Sequence, residues 1–251
     1  MVRGDKLANT VNVLDHMNTH DALEYVNSIS GLSELYRFAR QRFGTEAQMV
    51  NEDNLQPFIL WPAINREPLQ HWLPLALTKL ALFEFPQLVD EDKLIITAIP
   101  RSATWYLHII KKLNLFPNAS CPLLLKQSQF STYRTSGNGA VELPVPSYVH
   151  NRDPKTHKRG YQSIYFFNPN NYQGATVLFL DDAVAEGSTL ATIAEFTKNE
   201  LGAKQVFCVT PLTKEVQGGA NLLKLSPYIA GFKTLITVTK TSGKGQPVEF
   251  Y

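Results

Sequence analysis

Two adjacent carboxylates, Asp181 and Asp182, end an apolar run and precede a short loop of small and polar residues. The loop contains Gly187, Ser188 and Thr189, and an amphipathic helical pattern follows it. Small residues let the backbone approach a phosphate, whose oxygens accept hydrogen bonds from hydroxyls and from the N–H groups of a helix N-terminus. The carboxylates could bind sugar hydroxyls or Mg²⁺. The segment therefore indicates a phosphate site beside an acidic pair, although an acidic turn capping the next helix would give the same pattern.

A second segment with phosphate-binding chemistry runs from Pro100 to Ala103, directly after another apolar run. Arg101 could pair with two oxygens of a phosphate because its guanidinium is planar, and Ser102 could cap the following helix. Arg101 could equally form a surface salt bridge near the helix start. Lys126 follows a further apolar run and would either add a positive charge to the site or lie in solvent.

The elements that position these residues are predicted to form an α/β fold. Short β-branched runs alternate with helical or loop segments after residue 92, and several are apolar on both faces, which is typical of parallel strands covered by helices. The predicted strands are Leu94–Ile99, Pro122–Leu125, Ser163–Phe167, Thr176–Leu180, Gln205–Thr210 and Thr234–Thr239. Ligands of such sheets bind at the carboxyl ends of strands, so we expect the chemistry in the loops after Ile99 and Leu180.

The chain is predicted to have two parts. Residues 1–90 have a helical pattern and are expected to form an N-terminal extension, whereas residues 91–251 are expected to form the core around a mainly parallel sheet of about five strands. Residues 131–162 are polar and rich in Gly, Pro and Ser, and loops of this length are typically functional or disordered. Near the tip of this loop lie Arg152, Lys155, Lys158 and Arg159. They indicate a ligand-binding loop, a solvated loop, or a patch for an acidic partner.

The charge distribution excludes some classes of partner. A formal net charge of +2 gives no broad field for nucleic acid or a membrane surface. Residues 177–189 hold three acidic residues and no basic one, whereas residues 150–159 hold four basic residues and one acidic residue. The pattern is compatible with an acidic sugar site facing a basic loop. The N-terminus has no apolar core like that of a secretion signal, and residues 72–85 are too short to span a bilayer, so we expect a cytoplasmic protein.

The segment Val177–Thr189, VLFLDDAVAEGST, resembles the phosphoribosyl pyrophosphate signature of the type I phosphoribosyltransferases. That signature has four apolar residues, two acids, two apolar residues and a small-residue loop that ends in Gly-x-Thr. The segment Ile99–Ala103 is similar to the pyrophosphate loop of the family, although it lacks the family's glycines. The long polar loop at 131–162 corresponds in chain order to the family's mobile loop.

The resemblance implies transfer of a 5-phosphoribosyl group from 5-phosphoribosyl-1-pyrophosphate to a nitrogen of a base, with release of pyrophosphate and with Mg²⁺ shielding the diphosphate. It implies that Asp181 and Asp182 bind the ribose hydroxyls, stabilise positive charge on the sugar and are possible ligands of Mg²⁺. The implied 5-phosphate loop consists of Ala185, Glu186, Gly187, Ser188 and Thr189. The implied pyrophosphate site consists of Pro100, Arg101, Ser102, Ala103 and Lys126, joined on loop closure by Arg152, Lys155, Lys158 and Arg159. Residues 1–90 would select the base, and the resemblance allows a homodimer.

One position departs from the family pattern. Glu186 stands where the family usually has Thr or Ser, and a desolvated carboxylate aimed at a phosphate would be repelled. We therefore expect Glu186 to face outward, or the site to bind something other than a 5-phosphate. This departure favours a second hypothesis, a non-catalytic module of the same fold that senses a phosphorylated nucleotide. A third is a hydrolase or phosphatase with Mg²⁺ on the acidic pair.

Overall fold

The computed structural model describes residues 19–46, 48–51, 57–60, 69–100, 103–126, 139–147, 160–240 and 249–250. The helices are α1 (Thr19–Ser28), α2 (Leu32–Glu46), α3 (Leu69–Glu84), α4 (Thr104–Lys112), α5 (Ser188–Asn199) and α6 (Gly219–Leu225). The strands are β1 (Gln48–Asn51), β2 (Pro57–Leu60), β3 (Leu94–Ala98), β4 (Leu124–Lys126), β5 (Val141–Ser147), β6 (Gly160–Phe166), β7 (Thr176–Leu180), β8 (Gln205–Lys214), β9 (Gly231–Lys240) and β10 (Glu249–Phe250).

A five-stranded sheet forms the centre of the molecule, with the strand order β10-β9-β8-β7-β3. Strands β3, β7, β8 and β9 are parallel, whereas β10 pairs with β9 in the antiparallel direction. Every residue of β3 and β7 is buried, as expected for strands that are apolar on both faces. The predicted α/β fold with a mainly parallel sheet is therefore confirmed.

A second, three-stranded sheet has the order β4-β6-β5 and is antiparallel throughout. The strands predicted at Pro122–Leu125 and Ser163–Phe167 belong to this sheet, as β4 and β6, and not to the parallel one. The predicted loop over 131–162 is also partly wrong, because β5 lies inside it and β6 begins before it ends. β5 contains two prolines, Pro144 and Pro146, and proline in a sequence argues against a strand. They are tolerated here because β5 is an edge strand.

The central sheet separates two apolar clusters, because alternate residues of a strand point to opposite faces. Leu178 and Leu180 pack with residues of α1 to α4, whereas Val177 and Phe179 pack with α5, α6 and the second sheet. The helices of residues 1–90 thus cover one face of the sheet. The predicted N-terminal extension is not helical throughout, since β1 pairs with β2. Within the described ranges, no helix combines the length and apolarity needed to cross a membrane.

The packing of α3 against the sheet predicts that the N-terminal helices and the sheet unfold together. Leu77 is fully buried in the shared cluster, so Leu77→Ala should lower the free energy of unfolding by about 2–5 kcal/mol in a single urea transition. The matched variant Leu225→Ala removes a leucine that is 83% exposed and should change it by less than about 0.5 kcal/mol. A separate transition for the helices of residues 1–90 would contradict the shared core.

Candidate functional site

The two junctions singled out in the sequence lie side by side at one edge of the sheet. Ala98 at the end of β3 is opposite Leu180 at the end of β7, and the Ile99 N–H donates a hydrogen bond to the Leu180 carbonyl at 2.8 Å. The loop that begins at Pro100 and the loop that begins at Asp181 therefore start next to each other. This edge is where parallel α/β sheets bind ligands.

Backbone amides hold the two carboxylates in place. Asp181 is 8% exposed, and its N–H donates to the Val209 carbonyl at 3.2 Å. The Asp182 N–H donates to Oδ1 of Asp181 at 2.9 Å, and the Ala183 N–H donates to Oδ1 of Asp182 at 3.0 Å. Asp182 is half-buried, so of the two side chains it is the one more accessible to a ligand.

The acidic pair lies in a strongly perturbed electrostatic environment. Burial raises the pKa of Asp181 well above its ordinary value and the charge of Asp182 acts in the same direction, whereas Lys126 opposes the shift. Burial lowers the pKa of Lys214, which is 7% exposed, while the charge of Asp182 opposes that shift. Two amines, from β4 and from the end of β8, thus lie close enough to influence the carboxylates. Clustered groups with perturbed pKa values are typical of functional sites.

The loop after the acidic pair extends the sheet beyond the end of β7. Val184 forms a parallel bridge with Thr213, in which the Val184 N–H donates to the Leu212 carbonyl and the Lys214 N–H donates to the Val184 carbonyl, both at 2.9 Å. These two bonds fix the backbone of Lys214 beside the loop. The position of the buried lysine is therefore set by the sheet itself.

The next residues of the loop pack closely against the start of α6. The Gly219 N–H donates to the Ala185 carbonyl at 3.0 Å. A Cβ atom at Gly219 would overlap that carbonyl oxygen and would lie 2.7 Å from the Gly187 nitrogen. Gly187 itself has φ 74°, a left-handed conformation that favours glycine. Both glycines are thus required by the path of the loop into α5.

The first turn of α5 presents donors at the end of the loop. The first intrahelical bond runs from the Ala191 N–H to the Gly187 carbonyl, so the N–H groups of the preceding helical residues have no intrahelical partner. The Thr189 hydroxyl donates to the Pro146 carbonyl of β5 at 2.9 Å, so its proton is engaged by the second sheet. Glu186 is half-buried and its Oε2 atom is shielded from water, so the expected outward orientation is not what the structure shows.

Solved structures match the chain, although no protein-family model and no curated protein does. Adenine phosphoribosyltransferase from Saccharomyces cerevisiae has a TM-score of 0.57 and 15% identity over 78% of this chain and 98% of that one. The APRTase from Giardia lamblia has a TM-score of 0.57 and 12% identity over 84% and 100%. Adenine phosphoribosyltransferase from Trypanosoma brucei has a TM-score of 0.55 and 14% identity over 83% and 84%.

This chain has the phosphoribosyltransferase fold. The resemblance carried by Val177–Thr189 is thereby confirmed at the level of the fold, since identities this low support no closer conclusion. Within this phosphoribosyltransferase fold the structure brings together the acidic pair, Lys126, the loop 185–189 and the buried residues Pro100 and Ala103. The remaining site residues of the sequence prediction lie outside the described residues: Arg101, Ser102, Arg152, Lys155, Lys158 and Arg159.

Sequence reasoning missed three residues at this site. Lys214 ends a strand in which nine of ten residues are buried, and a lysine at the end of such a run was a signal that could have found it. Gly219 belongs to a Gly-Gly pair soon after that strand, which indicates a close backbone approach. The sequence did not indicate a functional role for Tyr106 on α4, because an aromatic residue on the apolar face of an amphipathic helix is typical of a core position.

The burial of Asp181 predicts a pH-dependent effect on stability. Its pKa in the folded protein lies above the ordinary value of 3.8, so the folded state loses stability as the pH rises from about 4 through the raised pKa. Asp181→Asn should therefore raise the free energy of unfolding at neutral pH, and the gain should shrink toward pH of about 4. Urea unfolding over this pH range checks it. A variant that is less stable than the wild type at neutral pH would contradict the raised pKa.

The contact between α6 and the loop predicts that Gly219 tolerates no side chain. Gly219→Ala should lower the free energy of unfolding by about 1–3 kcal/mol, because the added methyl group would push against the loop backbone. At Gly31, a Cβ would meet no atom of the described residues within 4 Å. Gly31→Ala is thus the matched control, with an expected change of about 0.5 kcal/mol or less. Equal stability of the two variants in urea would show that the loop can move away from α6.

Proposed function

We propose that this protein is a phosphoribosyltransferase, which transfers the 5-phosphoribosyl group of 5-phosphoribosyl-1-pyrophosphate to a nitrogen of a base and releases pyrophosphate. One observation carries the proposal: an acidic pair, a small-residue loop and a helix N-terminus meet at the ligand-binding edge of a phosphoribosyltransferase fold. The matching structure from Trypanosoma brucei is a complex with AMP, pyrophosphate and ribose-5-phosphate, which supports substrates of this chemical class. Because the neighbours are enzymes, a purely sensing role is not favoured.

The 5-phosphate would bind at the loop 185–189. The N–H groups of the first turn of α5 and the Ser188 hydroxyl supply donors, and the positive end of the helix dipole favours the phosphate charge. Thr189 would contribute its hydroxyl proton only by leaving the Pro146 carbonyl, which it contacts at 2.9 Å. Glu186 must turn its carboxylate away from the phosphate when the substrate binds, because the two negative charges repel each other.

The ribose would lie over the acidic pair. Asp182 is the more accessible carboxylate and would accept hydrogen bonds from the ribose hydroxyls, while Asp181 lies deeper. As the bond to pyrophosphate breaks, positive charge develops on the sugar, and preorganised negative charge stabilises it. Lys126 would bind the departing pyrophosphate. The protein forms no covalent bond in this scheme and contributes positioning and charge.

The donor set at this edge fits Mg²⁺. Asp181 and Asp182 are adjacent oxygen donors, and Mg²⁺ is commonly held by one or two carboxylates together with substrate phosphates and water. Among the described residues, no cluster of three or more Asp, Glu, His or Cys side chains forms a protein-only metal site. The acidic pair would therefore hold the ion jointly with the substrate. When bound, Mg²⁺ neutralises charge on the diphosphate.

The second sheet places the residues that flank the basic tip in the chain beside the first turn of α5. Ser147 at the end of β5 is opposite Gly160 at the start of β6, and the four basic residues lie between them in the chain. The carbonyl of the neighbouring Pro146 accepts the Thr189 hydrogen bond, so this end of the hairpin is anchored at the first turn of α5. The proposal assigns pyrophosphate binding to the basic tip and to Arg101, which lie outside the described residues. The proposal assigns selection of the base to residues 1–90, whose helices α2 and α3 pack against β9.

A panel of purine, pyrimidine and pyridine bases, each mixed with 5-phosphoribosyl-1-pyrophosphate and Mg²⁺, tests the proposed activity. We expect one base to support release of pyrophosphate and formation of the nucleotide, and adenine is the first to try.

Asp182→Asn should lower kcat/KM by about a hundredfold or more, because it removes the charge facing the sugar. The exposed residue Asp92 precedes β3 at the opposite end of that strand, and Asp92→Asn is the matched control with unchanged activity expected. Failure of every base to react would contradict the proposal, as would full activity of Asp182→Asn.

A further inference from the structure

A buried tyrosine lies near the acidic pair. Tyr106, in the first turn of α4, is 1% exposed, and its side chain packs in the same cluster as Ala98 and Leu180, the last residues of β3 and β7. Ala183, which follows the acidic pair, packs against that cluster as well. Tyr106 thus packs in the cluster that contains the carboxyl ends of β3 and β7, next to the residues that lead into the acidic pair.

The hydroxyl of Tyr106 is buried, and it has no hydrogen-bond partner among the residues that the structure describes. Buried phenol hydroxyls usually find a partner, because leaving one unsatisfied costs the free energy of removing it from water. A phenylalanine would fill the same space without this cost. The unsatisfied hydroxyl therefore needs an explanation, and uncompensated costs of this kind occur at functional sites.

The chemical groups facing this hydroxyl suggest what its partner is. Burial raises the pKa of Tyr106 well above its ordinary value, and the charges of Asp182 and then Asp181 raise it further. The phenol therefore remains a neutral hydrogen-bond donor, and the charged groups near it are carboxylates, which accept hydrogen bonds. Asp182 is half-buried and follows Leu180 and Asp181 at the end of β7, whereas Tyr106 is buried in the cluster that contains Leu180.

We propose that Tyr106 is a positioning residue of this site: in the complex with the sugar phosphate, its hydroxyl donates a hydrogen bond to the Asp182 carboxylate from below. The inference rests on the phosphoribosyltransferase function proposed above. The bond fixes the rotamer in which Asp182 accepts hydrogen bonds from the ribose hydroxyls on its other side. The free protein carries an unsatisfied hydroxyl and the complex satisfies it, so the hydroxyl favours the complex over the free protein.

This difference between the two states predicts two effects of opposite sign. Tyr106→Phe removes an unsatisfied group from the free protein, so the melting temperature should rise by about 2 to 4 °C. The same variant lacks the hydrogen bond of the complex, so the dissociation constant for 5-phosphoribosyl-1-pyrophosphate with Mg²⁺ should increase about tenfold, which corresponds to about 1.4 kcal/mol. A tyrosine that served only in packing would change the stability and leave the affinity unchanged.

Tyr172 offers a matched control for the same chemical change. It is fully buried on the opposite face of the sheet, and its hydroxyl is near the Thr97 side chain but forms no hydrogen bond with a described residue. It packs in the cluster on the other face of the sheet from Tyr106, and burial, not the charge of Asp181 or Asp182, raises its pKa. Tyr172→Phe should raise the melting temperature by a similar amount and leave the dissociation constant unchanged.

Calorimetric titration of the substrate with Mg²⁺ into the wild type and both tyrosine variants tests the inference. Weaker binding by Tyr106→Phe alone supports it, and equal affinity of Tyr106→Phe and the wild type overturns it while leaving the proposed function intact. If the wild type binds no substrate, the proposed function fails and this inference fails with it. Asp182→Asn adds a further check, because the double variant should bind no more weakly than Asp182→Asn alone. Fully additive losses would show that Tyr106 does not act through Asp182.

Discussion

The parallel pairing of β3 with β7 is the constraint on which the rest of the site depends. The hydrogen-bond ladder between these strands extends one residue past Ala98, where the Ile99 N–H donates to the Leu180 carbonyl at 2.8 Å. Because both strands end at the same level, the loop that would bind pyrophosphate and the carboxylates that would bind ribose begin as neighbours. A shift of one residue in this register would turn Leu178 and Leu180 from one apolar cluster to the other, so the two cores keep the site aligned.

The site is built from groups that each cost stability. Asp181 is a buried carboxyl, Lys214 is a buried amine and Tyr106 has a buried hydroxyl without a partner among the described residues. Apolar residues of similar size would be more stable at these buried positions. A bound sugar diphosphate with Mg²⁺ would bring positive charge to Asp181 and negative charge to Lys214. Substrate binding should therefore raise the stability of the protein.

Local sequence patterns predicted the parts of the structure that depend on local order. β7 has the same bounds as its predicted strand, and the acidic pair with the loop 185–189 lies at the predicted edge. The second sheet was not predicted, because β5 contains prolines and its pairing with β6 depends on residues distant in the chain. Lys214 and Tyr106 join the site only through the folding of β8 and α4 next to β7, and no spacing in the sequence contains that information. Glu186 departs from the family pattern, and its half-buried position also depends on that folding.

In the proposed function, the acidic pair and the loop 185–189 together bind a phosphorylated ribose. A crystal structure of the protein with ribose 5-phosphate and Mg²⁺ tests this binding most directly. We expect density for the phosphate at the first turn of α5, with the ribose hydroxyls within hydrogen-bond distance of Asp182 and the Glu186 carboxylate turned away. A phosphate bound elsewhere, or a loop whose N–H groups face no ligand in a crystal saturated with ribose 5-phosphate, would contradict it.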